Sequence, residues 1–216
     1  MARPTFIIVV STLFVLSALR EVQPGQQTIA HRAAARVQDL RQFPAALPAT
    51  ARSDGRPDPT EEQRRRVYDE LLALGSAAIP ALIDGLTDPD VQVRRNVALF
   101  LNVSAGTWNK SFGRKLDIRR CLQSLIAALK DTDARVRELA AQAIGSIGTD
   151  ASAAVPALIV LLASSDEGSR NTACIALTAI GPRAREALPA LRKALSDPSA
   201  DVRRFAKEAI STIESP

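Results

Sequence analysis

The sequence predicts an all-α fold, an α-solenoid of stacked antiparallel helix pairs, and three observations support this prediction. A similar segment occurs four times, beginning at Ile79, Leu122, Val155 and Leu188, and the last three beginnings lie 33 residues apart. Self-similarity at a period of this length is typical of solenoids. Each copy contains two segments in which apolar residues recur with helical periodicity. Aromatic residues make up only 4% of the 216-residue chain, which favours stacked helices over a β-sandwich.

An apolar stripe defines the first helix of each copy, with apolar residues at relative positions i, i+3, i+4 and i+7. In three copies a proline follows the first stripe residue, as Pro80, Pro156 and Pro189, and proline is well accommodated in the first turn of a helix. The stripe residues are Ile79, Leu82, Ile83, Leu86, Leu122, Leu125, Ile126, Leu129, Val155, Leu158, Ile159 and Leu162, and, in the fourth copy, Leu188, Leu191, Arg192 and Leu195, where the arginine interrupts the stripe.

The second helix of each copy follows a residue suited to cap it, because a short polar side chain can accept from the free N–H groups of the first turn. This helix buries positions i, i+4, i+7, i+8 and i+11, and it ends at Gly148 in the second copy and at Gly181 in the third. The capping residues are Asp90, Asp133, Asp166 and Ser199, and the buried residues include Val136, Ala140, Ala143, Ile144, Ile147, Val202, Ala206, Ala209, Ile210 and Ile213.

Three copies carry an aspartate in the turn between their helices and an arginine six residues later, and these pairs are Asp88–Arg94, Asp131–Arg137 and Asp197–Arg203. This pattern resembles the HEAT repeat, close to the lyase-type HEAT-like subgroup, over roughly residues 57–216. The resemblance implies that the aspartates and arginines form a ladder of hydrogen bonds between successive turns.

The third copy keeps the arginine of this pattern, Arg170, but has Ser164 in place of the aspartate. We expect the ladder to be weakest there. Arg137→Ala should therefore destabilise the array more than Arg170→Ala, since Asp131 precedes Arg137 by six residues.

The repeat domain is predicted to extend over residues 60–216. A capping helix at 60–75 should cover the first repeat with Val67, Leu71 and Leu74, while Arg64 to Arg66 face water. The repeats are predicted at about 77–106, 118–148, 151–181 and 184–214, with an insertion at 107–119.

Residues 1–19 are predicted to be a signal peptide or a membrane anchor, because residues 6–19 carry no charge and are strongly apolar. Fourteen residues reach only about 21 Å as a helix, less than the hydrocarbon core of a bilayer. Both interpretations stay open, and the poor cleavage site before Ala18 favours the anchor. The predicted localisation is membrane-anchored or secreted/periplasmic. Residues 20–59 are predicted to form a tether, with a possible short helix at 29–43.

The sequence predicts no catalytic residues, no metal ligands and no cofactor, and hence a protein that is not an enzyme. The single histidine, His31, lies in the tether, and the chain has no glycine-rich phosphate-binding loop. Cys121 and Cys174 occupy non-equivalent positions in different copies, so their spacing does not indicate a disulfide.

The insertion is one candidate partner-binding segment, because large aromatic and arginine side chains dominate the binding energy of interfaces. If its aromatic side chains anchor a partner, they should be exposed. The alternative is an ordinary loop whose aromatic side chains fold back onto the core. The candidate residues are Trp108, Phe112, Arg114, Lys115, Arg119 and Arg120.

The preferred functional hypothesis is a scaffold that binds another protein through the outward side chains of its second helices, while residues 6–19 contact a membrane. The resemblance suggests one alternative, a subunit of a phycobilin-lyase-like enzyme. The net charge of +5 suggests another, a module for nucleic acid or anionic lipid. Acidic residues interrupt any basic stripe, which makes nucleic acid an unfavoured partner. The predicted outward residues are Asn96, Leu99, Leu139, Gln142, Thr172, Ile175 and Phe205.

Overall fold

A computed structural model of the chain describes residues 24–44, 59–105 and 116–215. The predicted signal or anchor segment, 1–19, lies outside the described residues, as does most of the insertion, including Trp108, Phe112, Arg114 and Lys115. Within the described ranges, all regular structure is helical, and the predicted solenoid of helix pairs is confirmed.

Ten α-helices build the described part of the chain, and the last eight form four successive pairs. Short 3-10 segments precede the first helix of each pair, and another, Leu40–Gln42, follows α1. The helices are α1 (Pro24–Asp39), α2 (Pro59–Leu74), α3 (Ile79–Gly85), α4 (Val91–Ala105), α5 (Leu122–Ala128), α6 (Ala134–Ile147), α7 (Val155–Leu161), α8 (Glu167–Ile180), α9 (Leu188–Ala194) and α10 (Ala200–Glu214).

Local sequence explains where the second helices begin and end. The side chains of Asp133, Asp166 and Ser199 each accept from the backbone N–H three residues later, as an N-cap should. Gly148 and Gly181 end α6 and α8 with φ values of 74° and 65°, a backbone conformation that favours glycine.

The second helices α4, α6, α8 and α10 stack side by side, and small residues let them approach closely. Gly145 shows how tight this packing is, because a Cβ added there would lie 3.3 Å from the Cα of Ala176. The stacked helices enclose one continuous core, which includes the fully buried Ala140, Ile144 and Leu177.

The predicted tether is wrong for residues 24–44, because this segment packs into the array. Ala33 and Leu40 are fully buried, and Val37 and Phe43 are 2% exposed. Ala33, Val37 and Leu40 lie on one face of α1 and of the 3-10 turn that follows it, and Phe43 comes directly after that turn, whereas Ile29 is exposed. Pro24 does not break a helix but occupies the first turn of α1, where its missing N–H costs nothing.

Helices α1 and α2 form a further, degenerate pair ahead of the first predicted repeat. They contact each other, and α1 also contacts α3. Arg64 in α2 lies eleven residues before Gly75, as Arg137 lies eleven before Gly148. Arg64 is buried rather than facing water, and its Nη1 donates to the Pro44 carbonyl at 2.9 Å. This correction extends the array by one helix pair.

The outer face of the last pair is polar. Arg192, which interrupts the stripe of α9, donates to Glu214 at 2.7 Å. Lys207 is exposed at the position where Ala98, Ala141 and Cys174 are buried in the preceding copies. Terminal repeats with polar outer faces keep such arrays soluble.

One apolar run in the described residues, 134–161, has the length and composition of a membrane-spanning helix. It is not one straight helix, because Gly148 separates α6 from α7 and a 3-10 segment joins them. Both helices pack in the core, so we assign this run to the array.

Candidate functional site: the inter-repeat ladder and the second-helix face

The ladder of hydrogen bonds between successive turns is present in the structure. Arg94 of the first repeat donates through Nε and Nη2 to the Asp131 carboxylate of the second repeat, at 2.7 and 3.1 Å. Arg170 donates in the same bidentate way to Asp197 of the fourth repeat, at 2.8 and 2.9 Å. Both pairs are largely shielded from water, with side chains 10–14% exposed. This pairing holds the pKa of the Asp197 carboxyl below its usual value.

Each ladder arginine is also fixed to its own turn by its third nitrogen. The Nη1 of Arg94 donates to the Asp88 and Pro89 carbonyls at 2.8 and 3.2 Å, and that of Arg137 donates to the Asp131 and Thr132 carbonyls at 3.0 and 3.2 Å. The same anchoring recurs at Arg170 and Arg203. Each guanidinium is therefore held with its Nε and Nη2 edge directed toward the next repeat.

We call each contact between a ladder arginine and the next repeat a rung. The predicted position of the weakest rung is wrong by one repeat. An arginine pairs with the aspartate of the following copy, not with the aspartate six residues before it. The missing carboxylate at Ser164 therefore affects Arg137, while Arg170 keeps Asp197. The expected order of the two alanine substitutions is consequently reversed.

Two sequence departures of the third copy meet at Arg137. The Ser164 hydroxyl accepts from the Asp166 N–H at 3.2 Å, which repeats the bond that Asp131 makes to the Asp133 N–H. The Nε of Arg137 instead donates to the Ser169 hydroxyl at 3.3 Å. Ser169 is fully buried where the other copies have valine. Comparing the copies column by column would have found this second departure.

Ser169 links Arg137 indirectly to a carboxylate. A side-chain hydrogen bond from Ser169 lowers the pKa of Asp166, and the Ser169 N–H also donates to that carboxylate at 2.7 Å. Apart from the two carbonyls of its own turn, the only hydrogen-bond acceptor of Arg137 in the described ranges is therefore the Ser169 hydroxyl. In the described ranges, no carboxylate oxygen lies within ion-pair distance of Arg137.

The ladder continues at its other end onto the segment that was expected to be a tether. Gln38 of α1 donates to Asp88 at 2.8 Å, and Arg41 forms an ion pair with Asp90, with its Nε 2.9 Å from the carboxylate. The buried side-chain amide of Asn96 holds the same segment by donating to the Leu40 and Phe43 carbonyls at 3.1 and 2.8 Å.

A second bridge between the first two repeats lies beside the ladder. The Nε of Arg95 donates to Asp133 at 2.9 Å, and Nη2 contacts the other carboxylate oxygen. This bond lowers the pKa of Asp133, which also caps α6. This pair does not recur along the array, because Glu138 and Asn171 stand at the position of Arg95 in the next two copies, so the repeat pattern does not reveal it.

Much of the predicted outward surface is buried. Leu99 is 2% exposed and Leu139 is fully buried, so both assignments to a partner-binding surface are wrong. Asn96 and Thr172 are buried as well. Second helices flank α6 and α8 on both sides, whereas α4 lies between α6 and the segment Leu40–Gln42. These neighbours bury one more column of residues than an isolated helix pair would.

The second-helix face that remains accessible is mainly polar. We use this name for seven partly or fully exposed residues of α4, α6 and α8 that are given at the end of this paragraph, and among them Asn102 donates to Gln142 across the repeat boundary at 2.9 Å. Ile175 is exposed to 41%. Phe205, on the neighbouring α10, is half-buried with the Arg204 guanidinium 4.0 Å above its ring. The residues of the second-helix face are Arg95, Asn102, Arg135, Glu138, Gln142, Asn171 and Ile175.

Of the candidate residues in the insertion, the structure describes Arg119 and Arg120. Both are exposed, and Arg119 donates through Nε to Asp117 at 2.8 Å and through Nη1 to Asp150 at 3.3 Å. Arg119 therefore already bridges two repeats. The exposure of Trp108 and Phe112 stays a prediction.

The two cysteines are free and buried, and burial raises the pKa of Cys121 to about 11 and that of Cys174 to about 12. Thiols of such high pKa are poor nucleophiles at neutral pH. In the described ranges, no group of three or more histidine, cysteine, aspartate or glutamate side chains is arranged to hold a metal ion.

Comparison with known proteins supports a HEAT-like repeat protein. A family model described as HEAT repeats matches residues 122–211. No curated protein matches the sequence. The fold is similar to an engineered protein at 21% identity, with a TM-score of 0.55 and coverage of 89% of this chain and 92% of that chain.

Two further solved structures share the fold. A designed armadillo repeat protein in complex with the peptide (KR)4 is 18% identical, with a TM-score of 0.57 and coverage of 90% of this chain and 94% of that chain. A chain from the complex of CpcE and CpcF of phycocyanin lyase from Nostoc sp. PCC7120 is 20% identical, with a TM-score of 0.55 and coverage of 81% and 98%.

Proposed function

Starting from a HEAT-like repeat protein, we propose that this chain is a non-catalytic scaffold whose second-helix face binds another protein. Stacked helix pairs present an extended surface rather than an enclosed pocket, and this shape suits a polypeptide partner. The designed armadillo repeat protein of similar fold is itself complexed with a peptide.

The observation that carries this proposal is the character of the second-helix face. The side-chain amide of Asn102 donates to that of Gln142 across the repeat boundary. Ile175 is exposed on the next second helix, α8. Amides can both donate to and accept from a peptide backbone, and an exposed apolar side chain can fill a partner's pocket. Polar groups around an apolar centre are the usual anatomy of an interface.

A matched pair of variants tests this proposal. Ile175→Glu places a charge on the second-helix face, while Val160→Glu changes an apolar side chain that is 65% exposed on α7, a first helix. Proteins captured from cell extract by the wild-type chain should also be captured by Val160→Glu and be lost with Ile175→Glu. Equal capture by all three chains would refute binding through this face. Thermal melts of the variants control for folding.

We also propose that residues 6–19 attach the array to a membrane or direct its export. The support is the uncharged, apolar composition of this segment, together with positive charges on either side of it at Arg3 and Arg20. Fractionating cells and determining the amino terminus of the mature protein tests this. A cytosolic protein with an intact amino terminus would refute both versions.

One alternative follows from the likeness to the chain of the phycocyanin lyase complex, which is that this protein is a subunit of a phycobilin-lyase-like enzyme. The likeness extends to the fold alone at 20% identity. Co-expression with a bilin and its absorbance spectrum separates the two functions, since a scaffold without a chromophore site should purify colourless.

A further inference from the structure

The interrupted rung at Arg137 differs from its neighbours in a chemically specific way. In the intact rungs, the Nε and Nη2 groups of the arginine are both taken by one carboxylate. At Arg137, the Nε meets only a hydroxyl at 3.3 Å, and Nη2 has no hydrogen-bond acceptor in the described part of the chain. The guanidinium is nevertheless fixed, because its Nη1 holds two carbonyls of its own turn.

We propose that this rung is a binding site for a carboxylate side chain of a protein partner, with Arg137 as the ligand-binding residue. The inference rests on the proposed scaffold function only for the source of the carboxylate. Arg137 and Ser164 are both partly exposed, so an external group can approach them. Ser164 is smaller than the aspartate that the other copies have at this position, and it has no carboxylate. The carboxylate that would accept from Arg137 can therefore come from outside the chain.

A carboxylate is the ligand that this geometry selects. Two parallel N–H donors in one plane match the two oxygens of a carboxylate, and the same molecule binds its own aspartates this way twice. The nearby Asp166 accepts from the Ser169 N–H at 2.7 Å and forms no ion pair with Arg137 in the described ranges, so it leaves the Nε and Nη2 edge of Arg137 open to a second carboxylate. Asp131 and Asp133 also lie two residues apart at the intact rung, and each is paired with its own arginine.

The Nε–H resonances of Arg94, Arg137 and Arg170, the three ladder arginines that are followed by a further repeat, test the site in ¹H–¹⁵N NMR spectra without knowledge of the partner. The probe is N-acetyl-aspartate N-methylamide, and the uncharged asparagine analogue is its control. The Arg137 resonance, assigned from its loss in Arg137→Gln, should shift with the aspartate probe and not with the asparagine probe. Arg94 and Arg170 should move little, because their own carboxylates occupy the same edge.

Two variants at position 164 complete the test. Ser164→Asp supplies the carboxylate internally and should abolish the shift of Arg137, whereas Ser164→Ala should retain it. The proposal is overturned if Arg137 responds no more than Arg94, or if the response survives in Ser164→Asp. Neither outcome changes the capture of partner proteins by the second-helix face. The carboxylate site can therefore be refuted while the proposed scaffold function stands.

Discussion

The junction between the third and fourth repeats and the junction between the second and third repeats use the same helix packing but different electrostatics. Arg170 and Asp197 form a bidentate ion pair at the first of these junctions, whereas Arg137 meets only the Ser169 hydroxyl at the second. Both junctions are nevertheless closely packed, and Gly145 brings α6 and α8 into tight contact at the one without an ion pair. Burial therefore holds neighbouring repeats together at both junctions, and the ladder adds to it where it is intact.

The largest effect is expected from the core itself. Leu158 of α7 is fully buried near the interrupted rung, and Leu158→Ala should lower the free energy of unfolding by about 2–5 kcal/mol because it leaves a cavity. Val160→Ala on the same helix should change it little, since Val160 is 65% exposed. Urea melts measure both, and similar midpoints for the two variants would contradict the dominance of burial.

The ladder arginines come next. Arg170→Ala should destabilise the array by about 2–3 kcal/mol, because it leaves the poorly solvated Asp197 carboxylate without its partner. Arg137→Ala should cost less, since it removes no ion pair. Paired urea melts decide the order, and a larger loss in Arg137→Ala would contradict pairing with the following repeat.

A third prediction concerns how the stability of the array depends on pH in the acidic range. The pKa of Asp197 is lowered in the folded chain, chiefly by its hydrogen bonds from Arg170, so the folded state binds fewer protons there than the unfolded state does. The stability that this rung contributes is therefore present above the unfolded pKa of about 3.9 and is lost as the pH falls through the lowered folded value.

Asp197→Asn tests that prediction, because it should reduce the loss of stability between neutral pH and acid. Asp201→Asn, at a side chain that is 60% exposed, is the matched control and should leave the acid limb nearly unchanged. Urea midpoints measured across this pH range provide the comparison. Identical pH profiles for the wild type and Asp197→Asn would show that the rung contributes nothing.

The smallest expected effect repairs the interrupted rung. Ser164→Asp should raise the free energy of unfolding by about 1 kcal/mol, since it gives Arg137 a partly buried ionic partner. The gain should vanish in an Arg137→Gln background, which makes a double-mutant cycle the appropriate measurement. A gain that persists without Arg137 would place its origin elsewhere, for example in the capping of the turn.

The sequence predicted what depends on local periodicity. Helix pairs, the caps at Asp133 and Asp166 and the terminating Gly148 follow from residue spacing within one copy, and the structure contains each of them. The direction of the ladder did not follow, because an arginine has an aspartate both six residues before it and in the next copy. Only the stacking distance between repeats selects the second partner.

Burial of the second helices was harder to predict for a related reason. Leu99 and Leu139 lie on a face that an isolated helix pair would expose, and the neighbouring repeat covers it. The packing of α1 and the turn after it was also missed, because the buried residues before Phe43 include only two large aliphatic side chains, Val37 and Leu40, among alanines and polar residues. A weak apolar stripe predicts burial only when the surface against which it packs is known.

The packing of α1 into the array limits the distance between the array and the apolar segment 6–19. A tether of residues 20–59 would have allowed the repeats to range far from a bilayer surface. Because α1 begins at Pro24 and packs against α3, and Asn96 holds Leu40 and Phe43 just after it, only residues 20–23 separate the array from the segment 6–19. Four residues span at most about 14 Å when fully extended. If residues 6–19 enter a membrane, the first turn of α1 therefore lies within about 14 Å of the end of that segment, and the array is held near the lipid headgroups at its first helix.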